Sequence, residues 1–324
     1  MRFTHIYVEQ RALEYPKAKE IMDRLPGAGV ITIKHYKDVL DRKRQDVILQ
    51  REHRAIILAV RDGNRIFEGA SVCQSFGQKH FYYASSMMNC PFDCEYCYLR
   101  GMYSSPYIVV FVNLEDYKAD VEYRLEEGPM YVCASFDTDL IAMNGLTGHV
   151  DFWKEMAKEH EDLLVELRTK TAYEVKNNIS NVIYAFTLSP EEAVSRYERS
   201  TASADARIDA AARALGNGAK VRLCFDPMIK IPGWEEAYKK LIEDAARRID
   251  FSFLTDVSVG TFRMSSDYLS KMRKAYPDSE IAWYPYAVID GVAQYEPETD
   301  RKMQEYVCGL LEEHIGREKI FTWN

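Results

Sequence analysis

From about residue 80 onward, short apolar runs rich in β-branched and aromatic residues alternate with stretches whose apolar positions recur at helical spacing. The runs at 81–85, 107–112, 130–135, 163–168, 182–187, 220–225 and 251–257 read as strands. The stretches 153–160, 204–215, 234–249 and 266–276 read as amphipathic helices. Strand–helix alternation of this length implies parallel strands joined by right-handed crossovers. About six such units predict an α/β chain built on a partial (β/α)6 TIM-like barrel rather than an open sheet. Before residue 80 the pattern is less regular, with strands expected at 4–8, 30–34 and 56–60, a helix at 18–24 and a break at Pro26-Gly27. The expected organisation is an N-terminal α/β lead-in over 1–79, packed on a barrel over 80–324 that ends in a helical and hairpin region. There is no internal repeat and no low-complexity segment.

In a barrel of this kind, chemistry gathers in the loops that follow the C-terminal ends of the strands. Here those loops hold a cysteine run after the first strand and Ser135-Phe136-Asp137-Thr138-Asp139 after the third. Thr169-Lys170 follows the fourth, Ser189-Pro190 the fifth and Asp226-Pro227-Met228 the sixth. The polar and ligating candidates therefore share one face.

Composition changes this picture little, and charge changes it more. The 324 residues are 47% hydrophobic and 28% charged, with no N-terminal signal pattern and no apolar run able to span a membrane, which together point to a cytoplasmic protein. The net charge of −8 and pI near 5.5 mean that any nucleic-acid site must be a local basic patch. Lys34, Lys37, Arg42, Lys43, Arg44, Arg51 and Arg54 are the candidates near the N-terminus, with Arg301 and Lys302 near the end, and a solvated charged face is the plain alternative.

Three of the 7 cysteines, Cys90, Cys94 and Cys97, form a C-x3-C-x2-C run. Three thiolates at this spacing can wrap a short loop around a [4Fe–4S] cluster and leave one iron open, whereas a cluster built for electron storage takes a fourth cysteine. An open iron suggests that the cluster binds something. A structural zinc site would need four closed ligands, and no second cysteine pair is present. The odd cysteine count gives no disulfide framework.

The run Cys90-Pro91-Phe92-Asp93-Cys94-Glu95-Tyr96-Cys97-Tyr98-Leu99, opening a partial barrel, resembles the radical S-adenosylmethionine superfamily and, within it, the spore photoproduct lyase family. The resemblance extends to Val8–Pro16, to Pro106–Leu114 and to Gly233–Tyr238. It implies a [4Fe–4S] cluster held by Cys90, Cys94 and Cys97, with S-adenosylmethionine on the open iron. It also implies a 5′-deoxyadenosyl radical that reverses a methylene-linked thymine dimer in DNA, and a reductant such as flavodoxin or ferredoxin. By the same resemblance Tyr96 packs near the adenine, Lys170 meets the cofactor carboxylate, and Thr138 and Ser189 present hydroxyls to the cofactor. Tyr98 matches a tyrosine that passes hydrogen between product and cofactor. Read from the residues alone, Tyr96 and Tyr98 could be core aromatics, Lys170 a surface lysine, and Thr138 and Ser189 helix N-caps.

Two positions depart from the family. Its hydrogen-donating cysteine aligns with Phe136, and strand alternation predicts that Cys133 points to the opposite side from Phe136. Cys224 is a second candidate thiol. The family's Arg-Tyr-Gly hairpin corresponds to 283–295, where aromatics remain and the arginine is absent. A relative acting on another nucleic acid or a small molecule, or a zinc or iron–sulfur binding protein without radical chemistry, are the alternative functions.

Overall fold

The run Ala55–Ala59 has no polar alternation, and the computed structural model buries all of it, as expected of a central parallel strand. The structure describes residues 2–69, 74–176 and 178–323, in two compact units interleaved along the chain. The first contains the chain up to Gly69, His80–Pro91 and Leu99–Val165; the second contains the segment ending at Lys79, Phe92–Tyr98 and the chain from Glu166 onward.

In the first unit Ala55–Ala59 (β3) lies between His5–Glu9 (β1) and Ile108–Phe111 (β8), parallel to both. Gly29–Ile33 (β2) covers the far side of β1, and Met87–Met88 (β6) closes the sheet antiparallel to β8. The strands expected at 4–8, 30–34 and 56–60 are thus present. The run 107–112 is a correction: instead of joining the barrel, as its pattern predicts, it pairs with β3 in the register Ile56↔Ile108. A fully apolar run suits the middle of either sheet, so periodicity does not choose between them. At the end of β1, buried Glu9 accepts from the backbone N–H of Tyr36 (2.7 Å) and of Val60 (3.1 Å) and pairs with Arg11. The same unit carries Ile66–Glu68 (β4), Phe81–Ala84 (β5) and Met130–Cys133 (β9), with β4 antiparallel and β9 parallel to β5.

The helix His149–Glu159 in this unit begins with a fully buried histidine. Burial pushes the His149 imidazole down to about 4, although the Phe111 and Thr147 carbonyls beside its ring nitrogens favour the charged form. A histidine held below its unfolded value contributes stability above that value and loses it as pH falls. Unfolding by urea is therefore expected to become easier between pH 6.5 and about 4, by roughly 3 kcal/mol, and a His149→Gln variant should flatten that dependence.

Leu163–Thr169 (β10) carries the chain into the second unit, whose strands lie in the order β10, Val182–Thr187 (β11), Lys220–Met228 (β13), Asp256–Thr261 (β14) and Ile320–Thr322 (β18). The pairs β11–β13, β13–β14 and β14–β18 are parallel. The expected strand over 251–257 starts late: Phe251–Phe253 forms a 3-10 turn because the Asp250 carboxylate accepts from Ser252 N–H at 3.0 Å. Asp93–Cys94 (β7) pairs antiparallel with Glu198–Arg199 (β12). Near the C-terminus Arg263–Ser265 (β15) pairs with Val292–Gln294 (β17), which forms a hairpin with Ala287–Ile289 (β16). Its two-residue turn places Asp290 at φ 49° and Gly291 at φ 79°, the left-handed pair that such a hairpin requires. Among the described residues no helix is long and apolar enough to cross a membrane.

Candidate active site

The segment Phe92–Tyr98, which carries Cys94 and Cys97, is tied to the second unit by backbone pairing, and Cys90 belongs to the first. Cys94 lies opposite Glu198 in the β7–β12 ladder, and Glu95 N–H donates to the Tyr197 carbonyl at 2.7 Å. The Cys97 N–H donates to the Cys94 carbonyl at 3.1 Å, which curls the C-x2-C segment into a tight turn. Cys94 is buried, while Cys90 and Cys97 are half-buried. Burial pushes the Cys94 thiol up to about 12, so a metal ligated there must displace its proton. Three thiols with no histidine among them are a soft donor set suited to iron–sulfur ligation.

Opposite Cys94 the same β12 residue, Glu198, sends its fully buried carboxylate into a dense polar knot. Its Oε1 accepts from the Tyr96 hydroxyl, from Lys170 Nζ at 2.9 Å and from Ser189 Oγ at 2.8 Å. Lys170 also donates to the Tyr96 oxygen, with its ammonium 4.6 Å from the ring centre. On the other side Oε2 receives Arg207 Nη2 and the Thr201 hydroxyl at 3.4 Å. Arg207 is itself held by the Ala202 carbonyl (2.8 Å) and the Thr187 carbonyl (3.0 Å). Burial alone would raise the Glu198 carboxyl, but the charges of Lys170 and Arg207 outweigh it and hold it far below the usual range. Burial, reinforced by the charge on Glu198, keeps the Tyr96 phenol far above its ordinary value and so a hydrogen-bond donor.

Three sequence-selected residues, Tyr96, Lys170 and Ser189, are therefore brought together in the second unit. Neither proposed cap is one. The helix Glu191–Tyr197 begins at Pro190 without a side-chain cap, and the helix Leu140–Thr147 is capped by Asp139, which accepts from Ala142 N–H at 3.0 Å. Thr138 lies in the first unit, in the loop after β9, where its Oγ1, Ser135 Oγ and Asp137 Oδ1 are buried without a hydrogen-bond partner among the described residues. Orphaned buried oxygens on one loop are what a polar ligand would satisfy. Tyr98 is half-buried at the end of the cysteine loop.

Sequence reasoning missed Glu198 and Arg207. Arg207 left a signal, a charge on the buried face of the helix Ala204–Gly216 among Ile208, Ala211 and Ala214. Glu198 left none, because an acid in a polar connection is ordinary.

One expectation needs correction. β9 stops at Cys133, so strand alternation does not carry on to Phe136. Cys133 is instead in register with Tyr83, and Tyr83 stacks on Phe136 with ring centres 4.2 Å apart, so all three are neighbours on one side. In the hairpin region Tyr284, Tyr286 and Tyr295 pack on one another, Tyr286 and Tyr295 also on Phe262, and Trp283, Val288 and Ile289 are exposed.

The family model described as "Spore photoproduct lyase" matches residues 2–283. The chain belongs to the spore photoproduct lyase family. It is 23% identical over 306 residues to the spore photoproduct lyase of Geobacillus sp. (strain Y412MC61), spanning 88% of this chain and 83% of that protein. It is 24% identical over 348 residues to that of Bacillus subtilis (strain 168), spanning 97% and 96%. A solved spore photoproduct lyase complexed with dinucleoside spore photoproduct superposes with a TM-score of 0.83 at 20% identity, covering 99% of this chain and 98% of that one. A variant with bound AdoMet and dinucleoside spore photoproduct gives 0.82 at 20%, with the same coverage. The likeness establishes the fold, a mixed α/β chain with the partial barrel of this family. Membership makes the chain an enzyme of the radical S-adenosylmethionine class, with a [4Fe–4S] cluster and S-adenosylmethionine as cofactors.

Proposed function

We propose that this chain reverses the spore photoproduct, the methylene-linked thymine dimer of ultraviolet-damaged DNA, as a radical S-adenosylmethionine lyase. The observation that carries the reading is the pairing of the three-cysteine loop with the Lys170–Tyr96–Ser189 group through β12, within the fold of a lesion-binding family. When bound, the cluster and S-adenosylmethionine supply one 5′-deoxyadenosyl radical. Cys90, Cys94 and Cys97 hold the cluster. Lys170 presents an ammonium to the cofactor carboxylate, a charge-assisted contact. Tyr96 offers its ring to the adenine, and Ser189 and Thr138 offer hydroxyls. Tyr98 sits beside the third ligand, where hydrogen can pass between product and cofactor. A flavodoxin- or ferredoxin-type reductant, a cytoplasmic location and no membrane association complete the proposal.

Iron-reconstituted protein should be incubated anaerobically with dithionite, S-adenosylmethionine and the dinucleoside lesion, following thymine and 5′-deoxyadenosine together. Recovery of thymine is the expected result. Deoxyadenosine without thymine would transfer the radical chemistry to another substrate.

Because reversal takes one hydrogen atom from the lesion, one must be returned. Phe136 has no thiol, and Cys133 is the cysteine on its side. A Cys133→Ala variant is expected to lower thymine recovery about tenfold with iron content unchanged, which corresponds to about 1.4 kcal/mol in barrier. Cys224 is fully buried, and Cys224→Ala should stay close to the parent. Equal recovery from the Cys133 variant and the parent would remove Cys133 from the path.

A further inference from the structure

The geometry points to Glu198 as the positioning residue of the cofactor site, one carboxylate that fixes Lys170, Tyr96, Ser189 and the cysteine loop together. This rests on the cofactor-binding reading of Lys170 and Tyr96 given above. Three observations support it. The Glu198 backbone faces Cys94 in the β7–β12 ladder, so the residue is fixed to the cysteine loop before its side chain does anything. Its Oε1 then takes donors from three different segments, Tyr96 in the loop, Lys170 after β10 and Ser189 after β11. Oε2 is anchored from behind by Arg207, which is fully buried and held by two carbonyls and the Thr201 hydroxyl. The carboxylate is therefore fixed at both oxygens, and the groups it holds inherit that rigidity.

Charge explains why the position needs an acid. Arg207 and Lys170 both meet this carboxylate, so two cations face one anion and a single positive charge remains. That balance matches a ligand carboxylate. An ammonium has three N–H donors, so a lysine steadied by one carboxylate can still meet another. Without Glu198, Lys170 would share its surroundings with a buried guanidinium and turn away from it. The Tyr96 ring would also lose the hydrogen bond that fixes its plane, and with it the surface offered to the adenine. Serving both partners, Glu198 acts on cofactor affinity through other residues and touches neither cluster nor substrate.

The test uses the full chain with its cluster reconstituted and compares Glu198→Gln, Lys170→Met and the double variant Glu198→Gln/Arg207→Met. Iron and sulfide content would be measured first, then S-adenosylmethionine affinity by anaerobic equilibrium dialysis on the oxidised cluster. The change in the reduced cluster's electron paramagnetic resonance signal on adding the cofactor gives an independent readout. Glu198→Gln should keep its iron, bind S-adenosylmethionine about tenfold more weakly, and raise KM for the cofactor while kcat at saturation stays within about threefold. The double variant leaves no buried guanidinium without its anion, so it should fold where the single change fails, and it should show the same weakened affinity. Parental affinity in both Glu198 variants, with affinity lost in Lys170→Met, would overturn the role of Glu198 and leave the site standing. Parental affinity in Lys170→Met would overturn the site reading itself. Loss of fold in both Glu198 variants would make the residue structural and equally end the proposal.

Discussion

Replacing Cys94 by alanine is expected to abolish cleavage of S-adenosylmethionine, by more than about a hundredfold, since even outer partners of a metal site are worth about 10–100-fold. The backbone makes this a clean test. Cys94 pairs with Glu198 through main-chain groups, so alanine keeps the β7–β12 ladder and removes only the sulfur. The variant should lose the brown colour of the cluster and most of its iron, yet unfold in urea near the parent. Cys90→Ala and Cys97→Ala should behave alike, whereas Cys308→Ala, on the buried face of the helix Pro297–Glu312, should retain full cleavage. Cys73 lies outside the described residues and is likewise expected to be dispensable. Full deoxyadenosine yield from the Cys94 variant would sink the cluster assignment.

Arg222→Ala is expected to produce the largest loss of stability, about 3–5 kcal/mol in urea unfolding. Arg222 on β13 lies fully buried between Glu166 on β10 and Asp256 on β14, with Nη2 at 2.8 Å from Asp256 Oδ2. The Phe76 ring covers the guanidinium at 3.3 Å. Alanine would remove the cation that bridges the two carboxylates, leaving Asp256 buried beside a cavity and Glu166 leaning on the half-buried Arg168 at 3.2 Å. Adding Glu166→Gln and Asp256→Asn to Arg222→Met should recover most of the loss, because the cost lies in the uncompensated charges rather than in the contacts. If Arg222→Ala unfolds at the parent's urea concentration, the network contributes nothing to stability.

Glu166 also shows how far a single sequence reaches. In β10 strict alternation places Leu163, Val165 and Leu167 on one face, with Leu164, Glu166 and Arg168 on the other. The strand could therefore be read, and Arg168 two positions on meets Glu166 at 3.2 Å, but not that the buried Arg222 would meet it as well, because that residue is 56 positions away. The same holds for the run 108–111, an evident strand whose sheet the sequence leaves open, since equal hydrophobicity fits either neighbour.

What the chain determined by itself is local chemistry. The spacing of Cys90, Cys94 and Cys97 marks the proposed ligand set, because three thiolates within eight residues need only a short loop to converge. The alternation of strands and helices names the α/β class for a similar reason, since both patterns are complete within a few turns of backbone. What only the tertiary structure decided is the company these residues keep. Glu198 meets Tyr96 across 102 positions and Lys170 across 28, and no local pattern marks an acid destined for burial. Non-local electrostatics chose it: a buried carboxylate persists where folding delivers enough cations and donors to replace the water it loses, and that supply exists only once distant segments are packed together.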